Sequence, residues 1–383
     1  MSELKKKILL IGGHPRTLVN FRGPLLKAIL AQGHSVFAAA NGRDQDTEEK
    51  LRAIGVAYYP IRIARAGMNP LVDIVTLFDL IRLMRKLKPD VVLSYTIKPV
   101  IYSGLAARFC GVPSIYSLIT GLGYAFVDAV SPRQHLIGWL AKSFYRLSLC
   151  HSRLVFFQNP DDKQKFVKMG LVTPDQGVVV NGSGVDLSFF PFVPFEQENL
   201  FPSVPFRFLL ISRLLRDKGI GEYVAAARIL KKKHPRLEFV LVGGFDPNPT
   251  GLKPDEVKAW EAEGLIDFKN EQADVRPFIQ SCHVFVLPSY YLEGTPRAVL
   301  EAMATGRAII TTDASGCRET VNGRNGILVP VKDVEALAKA MEFFLDHPEQ
   351  IVAMGRESRA YAQERYDVDK VNAVMLREMG LLI

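Results

Sequence analysis

The sequence predicts an α/β protein of two doubly wound domains that face each other across a cleft. Its length of 383 residues favours two domains of ordinary size. Short apolar strands alternate with helical patterns of roughly 10–15 residues, which is typical of βαβ units and a parallel sheet. The alternation runs through the first half and restarts at Phe206. This restart predicts two separate parallel sheets.

The first half contains five predicted strands and three predicted helices. The strands are "KKILLIGG", "HSVFAAAN", "GVAYYPI", "DVVLSYT" and "PSIYSLIT". The helices run from Gly23 to Gln32, along "LVDIVTLFDLIRLMRKLKP" to Pro89, and along "VIYSGLAARFCG". We assign residues 1–190 to the first domain, and a C-terminal helix at about 366–383 is expected to pack back on it.

The second half repeats this architecture over residues 191–365. Strands are predicted at "FRFLLIS", "LEFVLVGG", "IDFKN", "HVFVLPS" and "RAIITTD". Helices are predicted at "IGEYVAAARILKKKHP", "KPDEVKAWEAEG", from Pro296, at "EALAKAMEFFLDHP" and from Ile351 to Tyr366. The Pro- and Phe-rich stretch "FFPFVPFEQENLFPSVPF" is interpreted as a connector between the domains.

The positive charge is concentrated in the first half. Residues 1–187 hold 24 Lys and Arg against 13 Asp and Glu, whereas residues 188–383 hold 24 against 27. Such asymmetry favours an anionic partner, namely nucleic acid, a phosphate-bearing ligand or a membrane surface, with a solvated basic face as the alternative. No arginine-rich arm, zinc site or nucleic-acid motif is present, so we expect no nucleic acid. No apolar run suits a signal peptide or membrane span, so a cytoplasmic protein is expected.

The stretch "LPSYYLEGTPRAVLEAMATG" predicts an anion site at a helix start. Pro296 suits the first helical turn, and Thr295 is the predicted N-cap. Gly294 lets a ligand approach the backbone closely. Free N–H groups at the positive end of the helix suit a diphosphate. The alternative is a capped helix with nothing bound.

Two glutamates flank this predicted anion site. Glu293 lies just before the helix and Glu301 lies in its second turn. Carboxylates cannot bind phosphate, but they accept hydrogen bonds from hydroxyls on either side of it. A sugar nucleotide has this layout of sugar hydroxyls, diphosphate and ribose hydroxyls. For Glu301, the alternative is a residue that complements the helix dipole.

The segment "ISRLLRDKG" supplies two cations after a strand. Arg213 and Lys218 are placed to clamp a diphosphate leaving group and to stabilise its developing charge. No Asp-x-Asp motif lies nearby, so neither a metal nor a cofactor is predicted. The alternative is a pair of exposed loop cations.

Glycines follow strands at two places in the first half. Gly12 and Gly13 lie in "GGHPRT", which is neither a Rossmann fingerprint nor a Walker A motif, yet paired glycines permit close approach to a ligand. Thr120 and Gly121 begin "TGLGYAF", for which a structural turn is the alternative.

Taken together, these features resemble the retaining family 4 glycosyltransferases of the GT-B fold, in which two Rossmann-like domains face across a cleft. The resemblance rests on Arg213 and Lys218, the Glu293-x7-Glu301 pair, "GVVVNGSGVD" and the Gly-Gly loop, and it covers essentially the whole chain. "SYTIKPVIYSGLAAR" and "TGLGYAF" resemble the subgroup that adds an N-acetylhexosamine, often N-acetylgalactosamine, to a sugar on undecaprenyl diphosphate.

The resemblance implies a role for each matching position. Arg213 and Lys218 would bind the diphosphate of a UDP-sugar, Glu293 would contact the sugar and Glu301 the ribose. The remaining donor-binding candidates are Gly12, Gly13, Gly243, Phe268, Gly294, Thr295 and Pro296. Acceptor-binding candidates are Asn20, Arg22, Lys98, Thr120 and Gly121. Many relatives carry a His near the position of Thr120, and this departure leaves open which first-domain residue supports the sugar.

The polyprenyl-diphosphate acceptor implies contact with an anionic membrane surface at the inner face of the cell membrane. Two helices combine apolar and basic residues as an interfacial helix does. The first offers Leu77, Ile81 and Met84 with Arg82, Arg85, Lys86 and Lys88. The second offers Trp139, Phe144 and Tyr145 with Arg133, Lys142 and Arg146. The alternative is a core-facing helix with a solvated back.

For the mechanism we expect front-face displacement, since no second carboxylate suited to a covalent intermediate stands out in the first half. Two other functions stay open at this point. One is a sugar-nucleotide 2-epimerase of similar fold, and the other is a non-catalytic nucleotide-sugar sensor.

Overall fold

The computed structural model describes residues 5–64, 70–122, 132–195 and 205–382. The chain divides into two compact units, one formed by Met1–Ser183 with Val368–Ile383 and the other by Gly184–Asp367. Every strand pairing recorded in the two sheets is parallel. The predicted α/β class with two doubly wound sheets is therefore confirmed.

The first unit is built on a seven-stranded sheet of order β3-β2-β1-β4-β5-β6-β7. Its strands are β1 (Lys7–Ile11), β2 (Ser35–Asn41), β3 (Ala57–Ile61), β4 (Val91–Tyr95), β5 (Ser114–Ile119), β6 (Leu154–Phe157) and β7 (Gly177–Val179). Its helices are α1 (Pro15–Asn20), α2 (Gly23–Ala31), α3 (Gln45–Ala53), α4 (Pro70–Leu87), α5 (Ile97–Phe109), α6 (Pro132–Leu149), α7 (Pro160–Lys168) and α14 (Val368–Glu378).

Strand β1 shows why both faces of this sheet must be covered. Ile8 and Leu10 belong to one apolar cluster, whereas Leu9 and Ile11 belong to a second. All four side chains are fully buried. Successive side chains of a strand point to opposite faces, so an uninterrupted apolar strand needs helices on both sides. The C-terminal helix α14 covers one of these faces, with Val371 and Met375 in the first cluster.

The second unit contains a six-stranded sheet of order β10-β9-β8-β11-β12-β13. Its strands are β8 (Arg207–Ile211), β9 (Glu238–Val242), β10 (Asp267–Lys269), β11 (Val284–Leu287), β12 (Ala308–Thr312) and β13 (Gly326–Val329). Its helices are α8 (Ile220–Lys233), α9 (Pro254–Ala262), α10 (Arg276–Ser281), α11 (Arg297–Thr305), α12 (Val334–Asp346) and α13 (Glu349–Tyr361).

The described ends of the Pro- and Phe-rich stretch pack into the second unit rather than forming a simple connector. Phe195 and Phe206 both stack on the imidazole of His283, with ring centroids 4.7 and 4.6 Å away. The buried guanidinium of Arg307 lies 4.3 Å from the Phe195 ring centroid and donates to the carbonyl of Val193. Two apolar rings and one buried cation thus attach this stretch to β8, β11 and β12.

Among the described residues, no helix combines the length and the apolar character that crossing a membrane requires.

Two nearby glycines should respond oppositely to alanine. Gly219 has φ +75°, and a Cβ there would collide with the carbonyl of Pro288. Gly221, in the first turn of α8, has open space around its missing Cβ. We expect Gly219→Ala to lower the free energy of unfolding by at least about 1–3 kcal/mol, and Gly221→Ala to raise it by about 0.4–1 kcal/mol. Urea unfolding measures both, and equal midpoints for the two variants would contradict the assigned backbone geometry.

Candidate functional site

The strand order places one loop cluster in each unit where ligands of doubly wound sheets bind. That place lies beyond the carboxyl ends of the strands, where the strand order reverses. In the second unit the reversal lies at β8, which pairs with β9 on one side and β11 on the other. In the first unit it lies at β1, which pairs with β2 and β4. The loops after these strands carry most of the residues that the sequence singles out.

Lys218 and Glu293 form a buried ion pair in the second unit. Lys218 Nζ contacts Glu293 Oε1, and the two side chains are only 10% and 11% exposed. Ser289 Oγ lies 3.2 Å from the same carboxylate oxygen. Lys218 ends a short 3₁₀ turn, Arg216–Lys218, that follows β8, and Glu293 lies in the loop after β11. The interpretation of Lys218 as an exposed loop cation is therefore wrong.

Arg213 is held in the same loop by a second acid. Its Nη1 donates to Asp246 Oδ2 at 2.8 Å, and the Asp246 side chain is 8% exposed against 43% for Arg213. Burial is the largest single influence and acts to lower the pKa of Arg213, but the hydrogen bonds and charges of Asp246 and Tyr291 together outweigh it, so the pKa lies above its usual value. Arg213 stays cationic and keeps part of its surface open.

The start of α11 differs from the prediction. The helix begins at Arg297, and Pro296 rather than Thr295 is the N-cap residue, with φ −70° and ψ 111°. Pro296 makes no side-chain cap, because proline carries no polar side-chain atom to accept from the first turn. Gly294 and Thr295 are buried in the preceding loop. The assignment of Thr295 as N-cap is therefore wrong, although the helix start itself lies within one residue of the expected place.

Glu301 is paired with Arg297, a residue outside the predicted site. Arg297 Nε lies 2.9 Å from Glu301 Oε1, and the side chains are 20% and 14% exposed. Burial raises the pKa of Glu301, while the charge of Arg297 acts to lower it. The i, i+4 spacing of an Arg and a Glu on a predicted helix was the available signal.

Two further donor candidates lie along the neighbouring strands. Gly243 follows β9, and a Cβ there would collide with the carbonyl of Ser212, so the loops after β8 and β9 touch only because this residue is glycine. Phe268 lies in β10, and its ring meets that of the half-exposed Phe245 edge to face, 5.9 Å between centroids. Gly243 therefore lies beside the loop that carries Arg213.

In the first unit, the paired glycines have a packing role. A Cβ on Gly12 would overlap the hydroxyl end of Tyr95, and one on Gly13 would come 3.1 Å from Thr96 Oγ1. The glycines therefore let the loop after β1 lie against the loop after β4. Thr96 has φ 69° and ψ 160°, a conformation found essentially in glycine, which costs about 1–3 kcal/mol and is concentrated at functional sites.

The predicted acceptor residues of the first unit differ in their contacts and burial. Lys98 Nζ binds Asp73 Oδ1 at 2.7 Å, with both side chains about 15% exposed. Arg22 is buried, with Cζ 5.2 Å from the Tyr95 ring centroid. Asn20 ends α1 with an exposed side chain. Thr120 and Gly121 follow β5, and Gly121 has φ 118°. Residues 123–126 of "TGLGYAF" lie outside the described residues.

The apolar faces proposed for the two basic helices are partly wrong. On α4, Met84 is buried and Leu77 and Ile81 pack against the same core cluster. A neighbouring face of the same helix exposes Leu71, Ile74 and Phe78 by 75%, 51% and 67%. On α6, Tyr145 is buried, while Trp139, Phe144 and Leu147 are exposed by 63%, 38% and 53%. The side chain of Arg133 lies outside the described residues.

Among the described residues, no group of three or more His, Cys, Asp or Glu side chains is arranged to hold a metal ion.

Comparison with known proteins adds two family matches. Residues 194–361 match the model for "Glycosyl transferases group 1", and residues 22–182 match that for "Glycosyl transferase 4-like domain". Together they span both units.

Two bacterial relatives are similar over most of their length. An N,N'-diacetylbacillosaminyl-diphospho-undecaprenol alpha-1,3-N-acetylgalactosaminyltransferase from Campylobacter jejuni is 30% identical over 342 residues, 86% of this chain and 87% of that protein. A UDP-Gal:alpha-D-GlcNAc-diphosphoundecaprenol alpha-1,3-galactosyltransferase from Escherichia coli is 27% identical over 279 residues, 70% of each chain.

Solved structures match in fold. A glycosyltransferase from Rickettsia africae superposes with a TM-score of 0.77 at 20% identity, covering 99% of both chains. Anabaena HepE in complex with UDP-glucose gives a TM-score of 0.74 at 17% identity, covering 98% of this chain and 99% of that one. Two parallel-sheet units, both domain matches and the Campylobacter relative agree, and the chain belongs to the family 4 type of glycosyltransferase with the GT-B fold.

Proposed function

We propose that the protein transfers an N-acetylhexosamine, N-acetylgalactosamine foremost, from a UDP-sugar to an undecaprenyl-diphosphate-linked sugar, with retention of configuration and without a metal. The observation that supports this proposal most directly is the pair of cations, Arg213 and Lys218, beyond the carboxyl end of β8. The two relatives named for undecaprenyl-diphosphate-linked substrates support the acceptor class.

In the proposed reaction Arg213 and Lys218 bind the donor diphosphate. As the bond between the anomeric carbon and the phosphate oxygen breaks, these cations stabilise the charge that develops on the departing UDP. The acceptor hydroxyl oxygen attacks the same face of the anomeric carbon, and its proton passes to the leaving phosphate oxygen. Glu293 accepts hydrogen bonds from the transferred sugar, and Glu301 accepts them from the ribose.

Both acids are paired with cations before any substrate arrives. Lys218 neutralises Glu293, and Arg297 neutralises Glu301. A diphosphate competes with Glu293 for Lys218, which would release carboxylate oxygens for the hydroxyls of the sugar. In the first unit, acceptor contacts are assigned to the loops after β1, β4 and β5, with Lys98 as the cation for the lipid diphosphate.

The proposed enzyme works at the inner face of the cell membrane, against anionic lipids. The face of α4 that carries Leu71, Ile74 and Phe78 is apolar and exposed, and Arg82, Arg85 and Lys86 follow on the same helix with exposed side chains. An interfacial helix buries apolar side chains among headgroups while its cations meet anionic lipid. The exposed Trp139 of α6 adds a residue type that favours this boundary.

A panel of labelled nucleotide sugars and polyprenyl-diphosphate sugars tests the reaction itself. We expect α-linked transfer of N-acetylgalactosamine from its UDP donor, with product linkage read by mass spectrometry and NMR. A β-linked product would contradict retention. An epimerised donor in the absence of acceptor would support the 2-epimerase instead, and nucleotide-sugar binding without turnover would support a sensor.

Removing either cation should slow transfer. Arg213→Ala and Lys218→Ala should each lower kcat by at least about tenfold, the usual cost of losing a group that stabilises transition-state charge. Arg228→Ala is the matched control, since it removes an exposed arginine of the same unit that pairs with Glu263. Transfer rates equal to wild type in both site variants would contradict the role of Arg213 and Lys218 in stabilising the leaving group.

Glu301→Gln should separate ligand binding from stability. The pKa of Glu301 is raised by burial, so the folded state binds more protons than the unfolded state in the window between the two pKa values, and stability falls as pH rises through it. The variant should therefore gain in unfolding free energy relative to wild type as the pH rises above about 4, the ordinary pKa of a glutamate. Its affinity for UDP should fall by about tenfold or more, the cost of a lost charged hydrogen bond.

Calorimetry of UDP binding and urea unfolding at several pH values make these two measurements. Glu263→Gln serves as the control because its side chain is 48% exposed. Unchanged UDP affinity in Glu301→Gln would contradict the ribose role.

Sedimentation with vesicles tests the membrane surface. The protein should sediment with phosphatidylglycerol vesicles at low salt and be released at high salt, because screening weakens contacts between exposed charges. Serine at Leu71, Ile74 and Phe78 together should reduce sedimentation, whereas Leu328→Ser with Val331→Ser, two exposed apolar residues of the second unit, should not. Failure to bind these vesicles at low salt would count against the proposal.

A further inference from the structure

The ring of Tyr291 lies near both cations of the second unit. Lys218 Nζ is 5.2 Å and Arg213 Cζ is 5.7 Å from the ring centroid. Both distances fall within the roughly 6 Å over which a cation is attracted to an aromatic face. We propose that Tyr291 is a positioning residue that holds Arg213 and Lys218 at the spacing needed for the two phosphates of a nucleoside diphosphate. The inference rests on the proposed function, because it concerns the donor diphosphate.

The backbone of Tyr291 is tied to the turn that carries Lys218. The N–H groups of Tyr290 and Tyr291 both donate to the carbonyl of Asp217, at 2.9 and 2.8 Å. The N–H of Tyr291 also lies 3.2 Å from Ser289 Oγ, and its carbonyl accepts from the N–H of Glu293 at 2.7 Å. Since Asp217 directly precedes Lys218, the loop after β11 and the turn after β8 are joined at this ring.

An aromatic face suits this task better than a third acid would. Asp246 and Glu293 attract the two cations but carry negative charge, so each repels an incoming diphosphate and competes with it. The attraction of a ring for a cation comes from the ring's quadrupole and adds no negative charge that would repel the diphosphate. When a diphosphate draws Arg213 and Lys218 away from their acids, the ring continues to hold them.

The chain supplies a matched control next door. Tyr290 has the same residue type, lies in the same loop and donates its N–H to the same carbonyl of Asp217. Its ring, however, lies under Lys332, with Nζ 4.6 Å from the centroid. A contribution of the loop itself would affect both tyrosines, whereas positioning of the two cations concerns Tyr291.

Binding of UDP, GDP and ADP, by calorimetry with the full chain, tests the inference without needing transfer. For the tightest of the three, Tyr291→Leu should weaken binding about five- to thirtyfold, since two cation–ring contacts are lost. Tyr291→Phe keeps the ring but loses the hydroxyl that also hydrogen-bonds Arg213, so it should bind more weakly than wild type and more tightly than Tyr291→Leu. Tyr290→Leu should match wild type. Pentafluorophenylalanine at position 291 keeps the shape but reverses the ring electrostatics, and should bind clearly more weakly than Tyr291→Phe.

A double-mutant cycle separates positioning from support of the fold. In the Arg213→Ala/Lys218→Ala background, Tyr291→Leu should have little further effect on binding, because its partners are gone. Equal binding by the phenylalanine and pentafluorophenylalanine variants, or a full effect of Tyr291→Leu in that background, would overturn the inference.

If wild type binds UDP and shows the expected Tyr291 dependence but transfers no sugar, the proposed function fails while the positioning role stands. If wild type binds none of the three nucleotides, both fail.

Discussion

The buried contact between Lys218 and Glu293 is the interaction on which the arrangement of the second unit's loops depends. Two charges removed from water are stable only together, and loss of one partner from such a pair costs about 3–5 kcal/mol. The pair joins the turn after β8 to the loop after β11, and hydrogen bonds from Tyr290 and Tyr291 to Asp217 join the same segments. The two loops at the place where the strand order reverses are therefore held together by opposite charges.

Glycines and one strained threonine allow the loops to come so close. Gly219 accepts a left-handed conformation beneath the Pro288 carbonyl, and Gly243 leaves room for the Ser212 carbonyl. In the first unit, Gly12 leaves room for Tyr95, and Thr96 adopts a conformation that costs energy in any residue but glycine. Both units thus use missing Cβ atoms to bring together the loops after neighbouring strands.

Much of the fold could be predicted from the sequence, because strand and helix periodicities are local signals. Short elements escaped prediction, among them β6, β7, β13, α3 and α7, since four apolar residues or a mostly polar helix carry a weak periodic signal. The amphipathic face of α4 was assigned to the wrong side for a related reason. Its apolar residues cover two neighbouring faces, and only packing against the core shows that Met84 is inside and Phe78 outside.

At the candidate site, the sequence by itself determined the order of the loops and singled out the residues that we propose to carry chemistry, namely Arg213, Lys218, Glu293 and Glu301. The tertiary structure alone decided their partners. Asp246 lies 33 residues from Arg213, and Glu293 lies 75 residues from Lys218, so no local pattern connects them. Arg297 did offer a local signal, at four residues from Glu301, but its importance appears only once both are buried. Pairing of distant charges depends on which strand ends adjoin, and strand order is a property of the folded sheet.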